Sequence, residues 1–155
     1  MNYIVTDGRN EDFVMLCGML DENLNELVGG EQQRTQYTRY NTLEKIHDVI
    51  VLYDGKKPVG CAAFRHYEEG VAEMKRVFLQ KEYRGMGHSK ELIKRLEELA
   101  KSKGYQALIL ETGKPLKAAI GLYTGLGYQI IENYGQYKSM PLSVCMKKEI
   151  FEGDR

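Results

Sequence analysis

The 155 residues of this chain suffice for one domain with a substantial apolar core and are too few for two domains of typical size. Its 22 basic residues balance its 22 acidic ones, which argues against a nucleic-acid partner or an anionic membrane surface. Three scattered cysteines among apolar residues, no signal pattern and no bilayer-length apolar run predict a cytoplasmic protein with reduced thiols, without disulfides or a zinc site.

The predicted elements alternate strands with helices along the chain. Apolar residues at helical spacing predict a first helix over residues 11–28, and Pro115 is predicted in the first turn of the last helix, residues 115–126. The predicted strands cover residues 3–6, 48–53, 58–67, 71–79, 107–111, 128–132 and 142–147. We therefore expect an α/β (α+β) fold, a single domain over residues 1–155 whose mixed sheet of about seven strands has helices on both faces.

A short glycine loop follows the strand over residues 71–79 and leads into an amphipathic helix. Its residues are Arg84, Gly85, Met86, Gly87, His88 and Ser89. Glycine lets the backbone approach a ligand closely, and the helix N-terminus directs free N–H groups and a positive dipole end to the same place. These features predict a phosphate site, although two glycines before a helix are often only a tight turn. The spacing is neither that of a P-loop nor that of the dinucleotide-binding fingerprint.

Three segments carry a family resemblance: EMKRVFLQKEYRGMGHSKEL, LILETG and AIGLYTGLGY. These segments, and the order of the elements over nearly the whole chain, resemble the GNAT superfamily of acyl-CoA-dependent N-acyltransferases. The chain departs from the family pattern Arg-x-x-Gly-x-Gly/Ala at Ser89, where serine is still small enough for close approach. The resemblance implies acetyl-CoA as the co-substrate, a small-molecule amine as the acceptor and no metal, and it allows a homodimer.

The resemblance also implies which residues hold acetyl-CoA. In the family the backbone of the glycine loop holds the pyrophosphate, so the side chains of Met86 and His88 matter little. The pantetheine arm pairs like an added strand with main-chain groups, here those of Val77, Phe78 and Leu79. His88 could be tested as a base, but its place at the helix start favours a solvent-facing or phosphate-side role.

The resemblance implies a catalytic role most specifically for Tyr123. It matches the family tyrosine that can protonate the leaving CoA thiolate, and a phenol in a dry pocket can donate that proton. The alternative is a helix tyrosine whose ring packs on the sheet, which is the role we expect for Tyr128.

Glu73 is the candidate base that takes a proton from the attacking amine, directly or through a water. Alternation along its strand places it among apolar neighbours, where an acid is unexpected in a plain core strand. An ion pair with Lys75 or Arg65 is an equal alternative, because structural ion pairs often mimic functional sites. Glu111 is a second acidic candidate at the end of its own strand.

The acceptor site is expected between the variable loop after the first helix and the last hairpin, as in the family. These segments hold Glu31, Arg34, Tyr37, Arg39, Tyr40, Tyr134, Tyr137 and Lys138. Such aromatic and basic residues could hold a carboxylate or an aromatic ring, or they could form a solvated loop.

Three functions fit the sequence. The first is an N-acetyltransferase that acetylates a small-molecule amine by direct attack in a ternary complex, with a protein or peptide amine as a variant. The second is a non-catalytic CoA-binding module that regulates. The third is a structural domain in which the glycine loop is an incidental turn.

Overall fold

The computed structural model describes residues 1–28, 43 and 45–150. Within them the helices are α1 (Glu11–Val28), α2 (His88–Ser102) and α3 (Lys117–Gly125). The strands are β1 (Asn2–Thr6), β2 (Asp48–Asp54), β3 (Lys57–Glu68), β4 (Val71–Leu79), β5 (Ala107–Gly113), β6 (Gln129–Ile131) and β7 (Ser143–Glu149). Two short 3-10 turns span Lys81–Tyr83 and Gly135–Ser139.

The strands form one mixed sheet in the order β1-β2-β3-β4-β5-β7-β6. The pairs β1–β2, β2–β3, β5–β7 and β6–β7 are antiparallel, whereas β4 and β5 are parallel. Parallel neighbours need a crossover connection, and α2 supplies it between β4 and β5. The predicted mixed sheet of seven strands is therefore confirmed.

Internal contacts divide the chain into two compact units. The first unit consists of Met1–Arg65 and Lys75–Leu96, and the second of His66–Met74 and Glu97–Arg155. The glycine loop belongs to the first unit, while Glu73 and Tyr123 belong to the second. The single-domain organisation over residues 1–155 stays a prediction.

An apolar core in the first unit holds α1 in place. On one face of α1, Phe13, Leu16 and Cys17 are at most 1% exposed. The rest of this core is Leu43, Ile46, Val49, Val51, Cys61, Ala63 and Phe78. Burial of a large apolar side chain contributes about 1.5–3 kcal/mol, so this one face suffices to hold the helix.

A buried polar network stabilises the second unit. Glu97 of α2 is 7% exposed. Its carboxylate accepts hydrogen bonds from the Tyr128 hydroxyl at 2.8 Å and from Lys148 Nζ at 3.0 and 3.1 Å. A buried charge is tolerated when it is paired and hydrogen-bonded in this way. Tyr128 is packed, as predicted, and is 2% exposed.

The last helix begins later than predicted. The Leu116 N–H donates to the Gly113 carbonyl at 2.9 Å and closes a turn that contains Pro115, so α3 starts at Lys117. The strand ends lie within two residues of their predicted positions. No helix in the described part of the chain is both long and apolar enough to cross a bilayer.

Candidate active site

Strand β4 carries a local distortion at Arg76. Its φ is 58°, in the left-handed region that non-glycine residues rarely adopt. The Arg76 guanidinium donates to Asp21 Oδ1 at 2.7 Å, and these side chains are only 11% and 10% exposed. The Cys61 thiol donates to the Arg76 carbonyl oxygen at 3.2 Å. Such a backbone conformation costs on the order of 1–3 kcal/mol, so we interpret these contacts as holding it in place.

The distortion interrupts the alternation of side chains along β4. Strict alternation predicts that Val77 shares the face of Glu73 and that Phe78 shares the face of Arg76. A left-handed residue breaks this pattern, and the consecutive residues Phe78 and Leu79 are both buried, at 7% and 5% exposure. Alternation counted from Glu73 therefore does not tell which face of the sheet the residues after Arg76 occupy.

Contacts at the end of β4 fix where the glycine loop begins. The Gln80 N–H donates to the Val59 carbonyl at 2.8 Å, and the Gln80 amide side chain donates to the Pro58 carbonyl at 2.9 Å. After the 3-10 turn, the Tyr83 hydroxyl donates to Asp54 Oδ2 at 2.7 Å. The loop is thus tied to the β2–β3 hairpin on its way to α2.

The loop uses the conformational freedom of its two glycines. Gly85 and Gly87 have φ of 80° and 87°, which other residues adopt only under strain. A Cβ placed at either glycine would meet no heavy atom within 4 Å, so both face open space. Helix α2 begins at His88, and its free N–H groups follow the loop directly. The backbone of residues 84–89 therefore has the room and the donors that a pyrophosphate needs.

The Arg84 side chain turns back toward β4. Its Nε donates to the Leu79 carbonyl at 2.8 Å, and its guanidinium carbon lies 5.8 Å from the centre of the Phe78 ring. Arg84 therefore braces the loop against the strand, and its predicted contact with a phosphate stays a prediction. Met86 is 63% exposed, in keeping with a loop that works through its backbone.

Glu73 is a buried acid with a tyrosine as its partner. It is 2% exposed, and its Oε2 accepts a hydrogen bond from the Tyr134 hydroxyl at 2.7 Å. Burial and this bond to the carboxylate raise the pKa of Tyr134 well above its usual value, so the phenol keeps its proton. The two residues form a carboxylate–phenol pair inside the second unit.

Two further tyrosine rings pack against Tyr134, and we call Tyr67, Tyr134 and Tyr137 the tyrosine cluster. The Tyr67 and Tyr134 ring centres are 5.2 Å apart with planes at 72°, and those of Tyr134 and Tyr137 are 5.5 Å apart at 90°. Gly135, with φ of 53°, makes the turn that lets two of these rings meet edge to face. Lys138 is exposed.

A second carboxylate, Glu111, lies on the same face of the sheet as Glu73. Glu73 is opposite Ile109 in the ladder with β5, and Ile109 and Glu111 share a face because they are two residues apart. Glu111 Oε2 accepts a hydrogen bond from the Ser143 hydroxyl at 2.8 Å. No group of three or more His, Cys, Asp or Glu side chains among the described residues is placed to hold a metal ion.

Tyr123 lies near the end of α3 with its side chain buried, at 8% exposure. Its ring centre is 5.8 Å from that of Tyr128, with planes at 67°. Burial raises the pKa of Tyr123 well above its usual value, so the phenol is protonated at neutral pH. Its hydroxyl has no hydrogen-bond partner among the described residues, which leaves a buried donor available.

Sequence reasoning placed Tyr134 and Tyr137 only in a wall of the acceptor site and did not connect Tyr134 with Glu73. The bond joins residues 61 positions apart, and no local pattern reports such a contact. The five residues predicted in the other wall lie outside the described part of the chain: Glu31, Arg34, Tyr37, Arg39 and Tyr40.

Comparison with known proteins gives a family and a shared fold. The profile of the Acetyltransferase (GNAT) family matches residues 16–128. An IAA acetyltransferase of Azospirillum brasilense is 38% identical over 138 residues, which cover 88% of this chain and 90% of that protein. A crystal structure from Klebsiella pneumoniae subsp. pneumoniae MGH 78578, assigned as an acyl-CoA N-acyltransferase, has a TM-score of 0.80 and 30% identity and covers 97% of both chains.

A more distant structure carries the co-substrate. A GNAT family acetyltransferase of Elizabethkingia anophelis with acetyl-CoA bound has a TM-score of 0.58 and 18% identity, over 66% of this chain and 75% of that one, and so shares the fold. The family profile covers more than half of this chain, including the glycine loop and Tyr123. The chain therefore belongs to the GNAT family and is an acyl-CoA-dependent N-acetyltransferase.

Proposed function

We propose that the protein transfers the acetyl group of acetyl-CoA to a primary amine of a small molecule, by direct attack in a ternary complex. The observation that carries this proposal is the buried Glu73 carboxylate, which Tyr134 holds by a hydrogen bond of 2.7 Å. The name of the A. brasilense relative, an IAA acetyltransferase, supports a small-molecule acceptor.

Acetyl-CoA would be held by backbone groups. The open glycines of the loop and the first N–H groups of α2 suit the pyrophosphate oxygens. The ladder between β4 and β5 has its last residue pair at Glu73 and Ile109, while β4 runs on to Leu79. This arrangement supports main-chain pairing of Val77, Phe78 and Leu79 with the pantetheine arm.

Two side chains carry the proton transfers. Glu73 takes a proton from the acceptor nitrogen, directly or through a water, as that nitrogen forms a bond to the thioester carbonyl carbon. The carbon–sulfur bond then breaks, and Tyr123 gives its proton to the CoA thiolate. The Tyr123 hydroxyl is protonated at neutral pH, is buried and has no hydrogen-bond partner among the described residues, so its proton is available for donation. The products are the acetylated amine and free CoA thiol.

The decisive experiment is a panel of small amines in which release of the CoA thiol is followed in the presence of acetyl-CoA. Calorimetry with acetyl-CoA runs beside it. Binding together with amine-dependent thiol release is the expected result. Binding without release for any amine would favour the non-catalytic CoA module, and no binding at near-millimolar acetyl-CoA would overturn both CoA functions.

Gly87→Gln should weaken acetyl-CoA binding by about tenfold or more, since a side chain there obstructs backbone donors and one charge-assisted hydrogen bond is worth about that much. Gly104→Gln is the matched control because Gly104 also has positive φ, 91°, and open space around it. Both variants introduce similar backbone strain, so a difference between their acetyl-CoA affinities, measured by calorimetry, reports on the loop itself. Equal affinities in the two variants would contradict the loop assignment.

Tyr123→Phe should lower kcat by about tenfold or more while leaving the affinity for acetyl-CoA nearly unchanged, because the ring stays and the proton donor is lost. Tyr128→Phe is the control. It removes a hydroxyl from a neighbouring buried ring and should cost about 1–2 kcal/mol of stability through its bond to Glu97, with kcat kept. If kcat falls equally in both variants, Tyr123 has no specific role.

A further inference from the structure

The segment between β6 and β7 winds around a single side chain, that of Asn133. Its Nδ2 lies 3.1, 3.2 and 3.2 Å from the carbonyl oxygens of Tyr137, Met140 and Ser143. These carbonyls recur every third residue because the N–H of each of the three residues donates to the carbonyl three positions earlier, beginning at Tyr134. An asparagine amide has two N–H groups, so three carbonyls share two donors. Asn133 is therefore the centre on which the turns of this segment converge.

The same segment brings a hydroxyl group to each of the two carboxylates of the candidate site. Near its start, the Tyr134 hydroxyl donates to Glu73 Oε2 at 2.7 Å. At its end, the Ser143 hydroxyl donates to Glu111 Oε2 at 2.8 Å. Asn133 directly precedes Tyr134, and its amide binds the Ser143 carbonyl. Both hydroxyl donors are thus tied to the same side chain.

The backbone beside Tyr134 does not fix the direction of that side chain by itself. Gly135 follows it with φ of 53°, and glycine adopts many backbone conformations with little strain. The Asn133 amide reaches across this glycine, because Asn133 precedes Tyr134 and the three carbonyls follow Gly135. The amide thereby joins the two sides of Tyr134, whose ring also contacts those of Tyr67 and Tyr137.

We propose that Asn133 is a positioning residue for acetyl transfer: it holds Tyr134 in place, and Tyr134 in turn orients the Glu73 carboxylate. This inference rests on the proposed function, in which Glu73 takes the proton of the acceptor amine. A base contributes fully only when its oxygen is held within hydrogen-bond reach of that proton. Asn133 itself touches neither substrate and transfers no proton.

The test is a double-mutant cycle on Asn133 and Tyr134. Asn133→Ala and Tyr134→Phe should each lower kcat by about tenfold, the equivalent of one hydrogen bond, while calorimetry shows nearly unchanged affinity for acetyl-CoA. Because the two residues act in series, the double variant should be no slower than Tyr134→Phe alone. Tyr128→Phe is the control for stability. It removes a buried hydrogen bond in the same unit and should keep kcat.

The outcomes separate this inference from the proposed function. Wild-type turnover in Asn133→Ala, or losses that multiply in the double variant, overturn the inference and leave acetyl transfer standing. If the wild type acetylates no amine, acetyl transfer fails, and a crystal structure of Asn133→Ala decides the inference. A Tyr134 hydroxyl displaced from Glu73 supports it, and a bond kept at 2.7 Å overturns it. Should Asn133→Ala not fold, Asn133→Asp, which keeps the size of the side chain and loses the donors, must show the same pattern.

Discussion

Glu73→Gln should lower kcat by about a hundredfold or more, the usual contribution of a positioned general base. Glutamine has nearly the shape of glutamate, and its amide oxygen can still accept the Tyr134 hydrogen bond. It cannot take a proton from the amine. We therefore expect the affinity for acetyl-CoA, measured by calorimetry, to stay near that of the wild type while steady-state turnover collapses.

The chain contains a close control for this substitution. Glu97 is also a buried glutamate, at 7% exposure against 2% for Glu73, and it too accepts a tyrosine hydroxyl. Glu97→Gln should reduce stability by weakening the contact with Lys148 and should leave turnover within a few-fold of wild type. Comparable turnover losses in the two variants would show that loss of a buried charge, and not of a base, explains the effect.

Asp21→Asn should destabilise the protein by about 3–5 kcal/mol, because it leaves the Arg76 guanidinium without its charged partner at 11% exposure. That is a large share of the 5–15 kcal/mol that typically stabilises a domain. Chemical denaturation measures it directly. The control is Glu91→Gln, which breaks the exposed Arg95–Glu91 pair of α2 and should change stability by at most about 0.5 kcal/mol.

A double variant sharpens this prediction. Arg76→Gly removes the second charge and accepts the φ of 58° without strain. Combined with Asp21→Asn, it should therefore recover part of the stability that Asp21→Asn alone loses, a non-additivity expected of contacting residues. A loss from Asp21→Asn no larger than that from Glu91→Gln would mean that the buried pair does not hold β4.

Features coded within one stretch of chain could be predicted from the sequence. The strands β2 to β4, the glycine loop and the buried face of α1 follow from turn residues, glycine positions and helical spacing, which are local signals. The fold class followed from the order of the same elements. Tyr123 was predicted from a motif on one helix. Its burial, at 8% exposure, is compatible with the predicted role of proton donor to the CoA thiolate.

Features made by distant segments could not be predicted. The partner of Arg76 is 55 positions away and that of Glu73 is 61, so neither pair leaves a pattern in any window of sequence. Nothing in the strand segment EMKRVF indicates a left-handed residue, because it contains neither a glycine nor an asparagine, the residues that adopt this conformation most readily. The left-handed Arg76 is set by tertiary contacts, and the alternation counted along β4 therefore fails at that point.

The left-handed arginine in β4 also limits which substitutions this sequence can accept during evolution. Glycine would satisfy the backbone at position 76 by itself, so an arginine there is tolerated only while an acid at position 21 meets it. The two positions are coupled, because either change alone costs stability and the joint change recovers part of that loss. Descendants of this chain should thus hold aspartate with arginine, or abandon both, and rarely keep one without the other.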